Sequence, residues 1–150
     1  MASSLDCILF DLDDTLYPFN TGIADAVNKN IEDFLIQKCG IPEIKAPILR
    51  KQLFETYGGN LASLRHATEV LARLGLEDCF EKIICFETMN PNLFKATRSN
   101  EVPVLLKPSM DAIRIALDIA NVDPRRTLFL DDNVSNIAAG KALGLRTVLL

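Results

Sequence analysis

The strongest constraint on the fold of this chain is an apolar run near its start that ends in closely spaced carboxylates. The run Cys7–Asp11 is followed by Asp13, Asp14 and Thr15. Such a run predicts a buried strand that delivers polar side chains at its carboxyl end. Because successive strand residues point to opposite faces, Asp11 and Asp13 can share a site only if the strand ends between them. Open α/β sheets bind ligands at this edge, but the same residues also suit an Asp-rich turn that caps a helix.

Strand-like and helix-like segments alternate along the rest of the chain. Apolar residues at helical spacing predict amphipathic helices over Ile23–Lys38, Ile44–Tyr57, Leu61–Leu74, Met110–Ala120 and Ala138–Leu143. Short apolar runs predict further strands at Lys82–Glu87, Thr127–Asp131 and Arg146–Leu150. The polar stretch Asn90–Glu101 has no periodicity and predicts a loop. This alternation predicts an α/β fold with a mostly parallel sheet, flanking helices and right-handed crossovers.

The composition favours a single soluble globular domain. The chain has 150 residues, of which 49% are hydrophobic and 24% charged, as is usual for a protein with a true core. Its net charge is −4 and it has no cluster of basic residues, which argues against a nucleic-acid duplex as partner. The N-terminal residues lack the features of a signal peptide, and no apolar run approaches the roughly 18 residues that span a bilayer. We therefore expect no membrane contact and a cytoplasmic location.

The cysteines and the single histidine exclude several kinds of site. Cys7, Cys39, Cys79 and Cys85 form no C-x-x-C pair and stand among apolar residues, which favours buried free thiols in a reducing compartment over disulfides. His66 is the only histidine, so a zinc site or a Ser-His-Asp triad would have little to work with. Its helical context predicts a surface or packing residue.

A second group of polar residues matches the first. Asp131 and Asp132 end the strand Thr127–Asp131, and Lys107 precedes the helix that starts at position 110. Taken alone, the aspartates suit a helix N-cap and the lysine a solvated loop. Taken with Asp11, however, the carboxylates would repel one another unless a cation neutralised them, and Mg²⁺ prefers such oxygen ligands. The set therefore predicts a magnesium site that binds a phosphorylated ligand, with Lys107 balancing part of its charge.

These residues resemble the motifs of the haloacid dehalogenase (HAD) superfamily of phosphohydrolases. The D-x-D-x-T motif at a strand end matches Asp11–Thr15, the lysine motif matches Lys107, and the acidic fourth motif matches Asp131-Asp132, in the family's order. The segments Leu74–Phe80 and Phe86–Pro91 also resemble the pyrimidine 5′-nucleotidase-like branch. The resemblance covers most of the chain and implies a Rossmann-like core with a helical cap.

The resemblance also implies a role for each matched residue. Asp11 would attack phosphorus and form an aspartyl-phosphate, while Asp13 would act as general acid and then as general base. Lys107 would neutralise the nucleophile and the phosphoryl oxygens, and Thr15 would support the loop by hydrogen bonding. Mg²⁺ would be held by Asp11, the backbone carbonyl of Asp13, Asp131 and Asp132.

The chain departs from the family pattern in its first half. The second motif, a Ser or Thr at the end of another core strand, is missing, and Ser63 and Thr68 are poor substitutes because both fall on a predicted helix. The stretch Tyr57–Arg65 resembles a junction left by an internal deletion that removed a core strand and most of the cap. We therefore expect a core formed by residues 1–18 and about 66–150, with a remnant helical cap over about 19–65.

Three hypotheses follow from these residues. The first is a Mg²⁺-dependent phosphomonoesterase that acts on a nucleotide or another small phosphorylated metabolite, with activity reduced by the missing motif. The second is a remnant of weak or no activity that serves as a binding or regulatory protein. The third, a receiver-like phosphoacceptor, is disfavoured because there the acidic pair and the phosphorylated Asp lie on different strands. The sequence does not indicate an oligomeric state.

Overall fold

A three-stranded parallel sheet forms the centre of the fold. The computed structural model describes residues 4–57, 64–91 and 104–150. Strand β1 spans Cys7–Phe10, β2 spans Thr127–Asp131 and β3 spans Arg146–Leu149, in the spatial order β1-β2-β3. Cys7 pairs with Thr127, and Leu128 with Arg146. Both pairings are parallel, so the strands present their carboxyl ends at one edge, and the predicted α/β fold is confirmed.

Helices connect these strands, at bounds close to those predicted. In the described residues they are α1 (Ile23–Gln37), α2 (Ala46–Tyr57), α3 (Leu64–Leu74), α4 (Phe86–Met89), α5 (Met110–Ala120) and α6 (Val134–Ala142), with short 3-10 helices at Phe19–Thr21, Glu43–Lys45 and Pro124–Arg126. Helix α6 begins four residues before the predicted start because the Asn133 side chain accepts a hydrogen bond from the Ser135 N–H at 2.9 Å and caps it. The predicted residues 61–63 lie outside the described residues.

One face of the sheet carries the hydrophobic core. Buried residues from α5, β2 and the turn before β3 form it: Ile113, Leu117, Phe129 and Leu145. Helix α6 approaches β2 closely at Gly140, where an added Cβ would lie 2.9 Å from a ring carbon of Phe129. The absence of a side chain at Gly140 therefore permits close packing of helix on sheet.

The opposite face of the sheet is partly open to solvent. Ile8 is 50% and Phe10 is 41% exposed. The Phe10 ring nevertheless packs edge-to-face against the Phe80 ring, with 5.9 Å between the ring centroids. Strand β1 was expected to be buried, and that expectation is wrong for alternate residues. Its pleat turns Leu9 toward the core and turns Ile8 and Phe10 away from it.

The prediction of a strand over Lys82–Glu87 is also wrong. Residues 82–85 carry no strand pairing, and α4 begins at Phe86. The Thr88 hydroxyl accepts a hydrogen bond from the Cys85 N–H at 2.8 Å and forms a capping arrangement that starts a helical turn. This local capping overrides the strand preference of the apolar residues, and no strand among the described residues pairs with the outer edge of β1.

The environments of the cysteines differ from those expected. Cys85 is buried and Cys7 is intermediate, but Cys39 and Cys79 are exposed, because these two stand in the turns after α1 and α3 rather than on an apolar face. His66 lies within α3, as its helical context predicted. No helix in the described part of the chain is long and apolar enough to cross a membrane.

Candidate active site

Two adjacent strand ends bring the predicted carboxylates together. Asp11 follows β1 directly, and its N–H donates to the Leu130 carbonyl of β2 at 2.9 Å, while Asp131 is the last residue of β2. Carboxylate oxygens of Asp11, Asp131 and Asp132 all lie within 4.8 Å of one another. Parallel pairing therefore joins residues that are 120 positions apart in the sequence.

Lys107 links the two strand ends. Its Nζ lies 2.5 Å from Asp11 Oδ1 and 2.8 Å from Asp131 Oδ2. Burial tends to lower the pKa of Lys107, but Asp11 and Asp131 outweigh it, so the pKa lies above its ordinary value and the side chain is cationic. Helix α5 begins at Met110, as predicted, so Lys107 lies in the segment just before it.

Asp11 is held in a partly buried position that disfavours its charge. The pKa of Asp11 is raised, chiefly by burial and further by the charge of Asp131, although Lys107 opposes both. The Thr15 hydroxyl donates to Asp11 Oδ2 at 3.3 Å. A single ammonium thus offsets the carboxylates only in part, and the donors are oxygens of the kind that Mg²⁺ prefers. The residues present fit a divalent cation.

Asp131 is fully buried and heavily hydrogen-bonded. Its Oδ1 accepts from the Asn133 N–H at 2.9 Å, and the Asn136 amide donates to both oxygens at 2.9 and 3.0 Å. Helix α6 supplies Asn136 one turn after its N-cap, Asn133. The neighbouring Asp132 is exposed. The protein itself therefore engages Asp131, whereas Asp132 presents its carboxylate to solvent.

The turn after β1 contains a contact that the sequence did not predict. The Tyr17 phenol, only 4% exposed, donates a hydrogen bond to Asp13 Oδ1. Burial, followed by this hydrogen bond and the charge of Asp13, raises the pKa of Tyr17 well above its ordinary value, so the phenol stays protonated at neutral pH. Asp14 lies between them with a left-handed φ of 58° and an exposed side chain.

Asn136 is the other site residue without a predicted role. The sequence shows that Asn136 stands four residues after Asp132. Its hydrogen bonds to Asp131, however, form only because α6 begins at Val134, before the predicted start. For Tyr17, the only signal in the sequence is its position four residues after Asp13. Neither residue type has a spacing rule that would identify it as part of a site.

A cavity of about 630 Å³ opens over these carboxylates. Asp11, Asp13, Lys107 and Asp132 contribute to its lining, together with apolar residues of several elements and Asn28 and Arg50 from α1 and α2. No Ser or Thr stands among the described residues that line it. Thr68 is exposed on α3, and Ser63 lies outside the described residues. The site thus has an acidic, lysine-bearing end and a largely apolar wall.

Comparisons with known proteins bear on the family and the fold of this chain. A family model described as haloacid dehalogenase-like hydrolase matches residues 60–144, which is more than half of the chain and includes Lys107, Asp131 and Asp132. A search of curated proteins gave no match. A crystal structure of a candidate phosphatase from Clostridium difficile is similar in fold, with 15% identity, a TM-score of 0.51, and coverage of 98% of this chain and 85% of that one. A protein from Porphyromonas gingivalis described as a HAD-like family hydrolase has 18% identity, a TM-score of 0.43, and coverage of 98% and 91%.

Proposed function

Because this chain belongs to the haloacid dehalogenase-like hydrolases, we propose that it is a Mg²⁺-dependent phosphomonoester hydrolase with Asp11 as its nucleophile. The observation that carries this proposal is the position of Lys107, whose Nζ contacts Asp11 and Asp131 beside the exposed carboxylate of Asp132. A phosphoryl group bound there would face an ammonium and a nucleophilic carboxylate together. Such fixed charges stabilise the negative charge of a phosphoryl-transfer transition state.

In the first step, an oxygen of Asp11 attacks phosphorus and the ester P–O bond breaks. The leaving oxygen takes a proton from the Asp13 carboxyl, so the alcohol departs neutral and Asp13 becomes a carboxylate. Lys107 balances the charge of Asp11 and of the phosphoryl oxygens. The product of this step is an aspartyl-phosphate on Asp11.

In the second step, water attacks the aspartyl-phosphate. Asp13 removes a proton from this water, the bond between phosphorus and the Asp11 oxygen breaks, and inorganic phosphate leaves. Asp13 is then protonated again and Asp11 is again a carboxylate. Together the two steps consume one water, release the alcohol and inorganic phosphate, and change no oxidation state.

The residues that would hold Mg²⁺ are Asp11, the backbone carbonyl of Asp13, Asp131 and Asp132. When bound, the ion supplies charge neutralisation between the carboxylates and the phosphate oxygens. Because Asp131 is fully buried whereas Asp11 is partly buried and Asp132 is exposed, Asp132 and Asp11 offer the more accessible oxygens to the ion.

The substrate that we propose is a nucleotide or another small phosphate ester. The cavity's largely apolar wall suits an organic leaving group, and its volume of about 630 Å³ lies within the usual range for small-molecule sites. We also propose that the chain belongs to the pyrimidine 5′-nucleotidase-like branch, carries an internal deletion near Tyr57–Arg65 and works in the cytoplasm. Its partner would then be a small phosphorylated metabolite.

The test is phosphate release by the purified chain from 4-nitrophenyl phosphate and from uridine monophosphate, with and without Mg²⁺. Asp11→Asn should lower the rate by at least about 10⁴-fold, because loss of a nucleophile removes the covalent route. Asp118→Asn is the matched control, since Asp118 is exposed on α5 and does not line the cavity. Turnover that survives in Asp11→Asn would overturn the mechanism.

A second candidate is a binding or regulatory protein with weak or no activity. The absence of Ser and Thr from the described cavity lining favours it, since the family's second phosphoryl donor is then missing. Loss of one such donor costs on the order of 10²–10³-fold in rate. A sample that unfolds cooperatively, binds Mg²⁺ and phosphate by calorimetry and releases no phosphate would favour this candidate.

A further inference from the structure

The turn after β1 ties Asp13 to a residue that takes no part in the mechanism above. Tyr17 is buried, and its phenol donates to Asp13 Oδ1 within a stretch of five residues. The backbone of the same two residues forms a β-bridge. The hydrogen bond and the bridge together fix where the Asp13 side chain lies relative to β1.

We propose that Tyr17 is a positioning residue that holds the Asp13 carboxyl in one orientation for proton transfer to the leaving oxygen. This inference rests on the proposed function, because it assigns Tyr17 to the proton transfer of that reaction. The phenol donates to Oδ1, and a carboxyl oxygen can accept that hydrogen bond whether Asp13 is charged or protonated. The hydrogen bond and the β-bridge therefore restrict rotation of the side chain through the step in which Asp13 gives up its proton.

This arrangement serves the step in which the ester bond breaks. The O–H bond of the Asp13 carboxyl breaks and a new O–H bond forms on the leaving oxygen, while Tyr17 keeps its own proton throughout. Without the phenol, the Asp13 side chain could rotate. Productive encounters between the carboxyl O–H and the leaving oxygen would then become rarer, since proton transfer requires hydrogen-bond distance.

The alternative is that Asp13 simply satisfies a buried phenol, as buried polar groups require. The two explanations differ in how the reaction depends on the leaving group. An alkoxide leaves poorly unless it is protonated, whereas 4-nitrophenolate leaves readily as an anion. A positioning role therefore affects an alkyl phosphate much more than an aryl phosphate, and a merely structural role affects both alike.

The experiment compares kcat/KM of the full chain and of Tyr17→Phe for an alkyl phosphate and for 4-nitrophenyl phosphate. This ratio reports the steps through ester cleavage and is independent of the later hydrolysis of the aspartyl-phosphate. We expect a loss of about 10-fold or more for the alkyl ester, part of the 10²–10⁴-fold that general acid catalysis contributes. We expect a change of less than about 2-fold for the aryl ester. Asp13→Asn sets the upper limit of the leaving-group effect, and thermal unfolding verifies that each variant folds.

The outcomes separate the two proposals. Equal losses for both esters in Tyr17→Phe, or no loss for either, would overturn the role of Tyr17 and leave the hydrolase proposal intact. Turnover that survives in Asp11→Asn, or no turnover by the unaltered chain, would overturn both. If Tyr17→Phe fails to fold, Tyr17→Trp and Tyr17→Leu repeat the comparison, because both remove the phenol and retain an apolar side chain.

Discussion

At the end of β2, Asp131 is fully buried and both its oxygens accept hydrogen bonds, whereas at the end of β1 Asp11 is only partly buried. The Asp131 contacts come from Asn133 and Asn136 in and before α6, and from Lys107. Asp11 has Lys107 and the longer contact from Thr15, and its pKa is raised by burial. More hydrogen-bond donors therefore surround the Asp131 carboxylate than the Asp11 carboxylate, which its surroundings compensate less fully.

The sharpest way to break this contrast is Asp131→Ala. The substitution leaves Lys107 with one fewer acceptor and leaves the buried Asn136 amide without one. Removing one partner of a buried pair costs about 3–5 kcal/mol, and we expect a loss of that size in the free energy of unfolding in urea. Asp132→Ala is the matched control, because Asp132 is exposed at the same strand end. Equal losses in the two variants would contradict the contrast.

Mg²⁺ should join the two strand ends and stabilise the chain. A ligand that binds only the folded state adds about 2.7 kcal/mol at a concentration of 100 times its Kd. We expect Tm to rise with Mg²⁺ concentration, and less so as pH falls toward about 4, because protons compete for the carboxylates. Asp118→Asn, which lies outside the cavity lining, should keep the rise and Asp132→Asn should lose most of it. A rise of equal size in Asp132→Asn would place the ion elsewhere.

Gly140→Ala tests whether the close contact between α6 and β2 stabilises the fold at the end of β2. The added Cβ would lie 2.9 Å from a carbon of the Phe129 ring and 3.2 Å from one of Leu145, so either these side chains or helix α6 must shift. Overpacking of this kind costs about 1–3 kcal/mol, which denaturant unfolding measures. Lys141→Ala, at the exposed neighbouring position, should change stability by less than about 0.5 kcal/mol. A neutral Gly140→Ala would show that α6 is not fixed by this contact.

The smallest expected effect is a gain in stability from Asp11→Asn in metal-free buffer. Since the folded pKa of Asp11 lies above its ordinary value of 3.8, the folded state binds the proton more tightly than the unfolded state does. The free energy of unfolding of the wild type therefore falls as pH rises from about 4 through the raised pKa. We expect Asp11→Asn to be more stable by about 0.5–2 kcal/mol near neutral pH, with no difference below about pH 4. Destabilisation near neutral pH would mean that Lys107 fully compensates Asp11.

The sequence predicted the elements that have local signals. Strands at Thr127–Asp131 and near Cys7 and Arg146, with most of the helices, follow from periodicity over a few residues. The error at Lys82–Glu87 came from side-chain capping by Thr88, which periodicity does not report. The partial exposure of β1 depends on which helices cover each face of the sheet. The arrangement of those helices is set by the packing of the whole fold, which the residues of the strand alone do not report.

For the site, the sequence supplied the carboxylates and Lys107 but not the residues that hold them. Strand ends mark Asp11 and Asp131 because parallel pairing brings such ends to one edge. The Asn136 amide reaches Asp131 only because Gly140 lets α6 lie against Phe129. The hydrogen bond from Tyr17 to Asp13 depends on the backbone conformation of the turn after β1. Neither contact corresponds to a residue pattern.

The pairing of β1 with β2 has a consequence for the synthesis of the chain. Cys7 pairs with Thr127, so the strand that carries Asp11 emerges from the ribosome 120 residues before its partner. At about 5–20 residues per second, the nascent chain keeps β1 unpaired for roughly 6–24 s. Ile8 and Phe10, partly exposed even in the finished fold, are then uncovered β-forming residues that a chaperone could bind. The strand end that carries Asp11 is thus synthesised long before the strand that fixes its position.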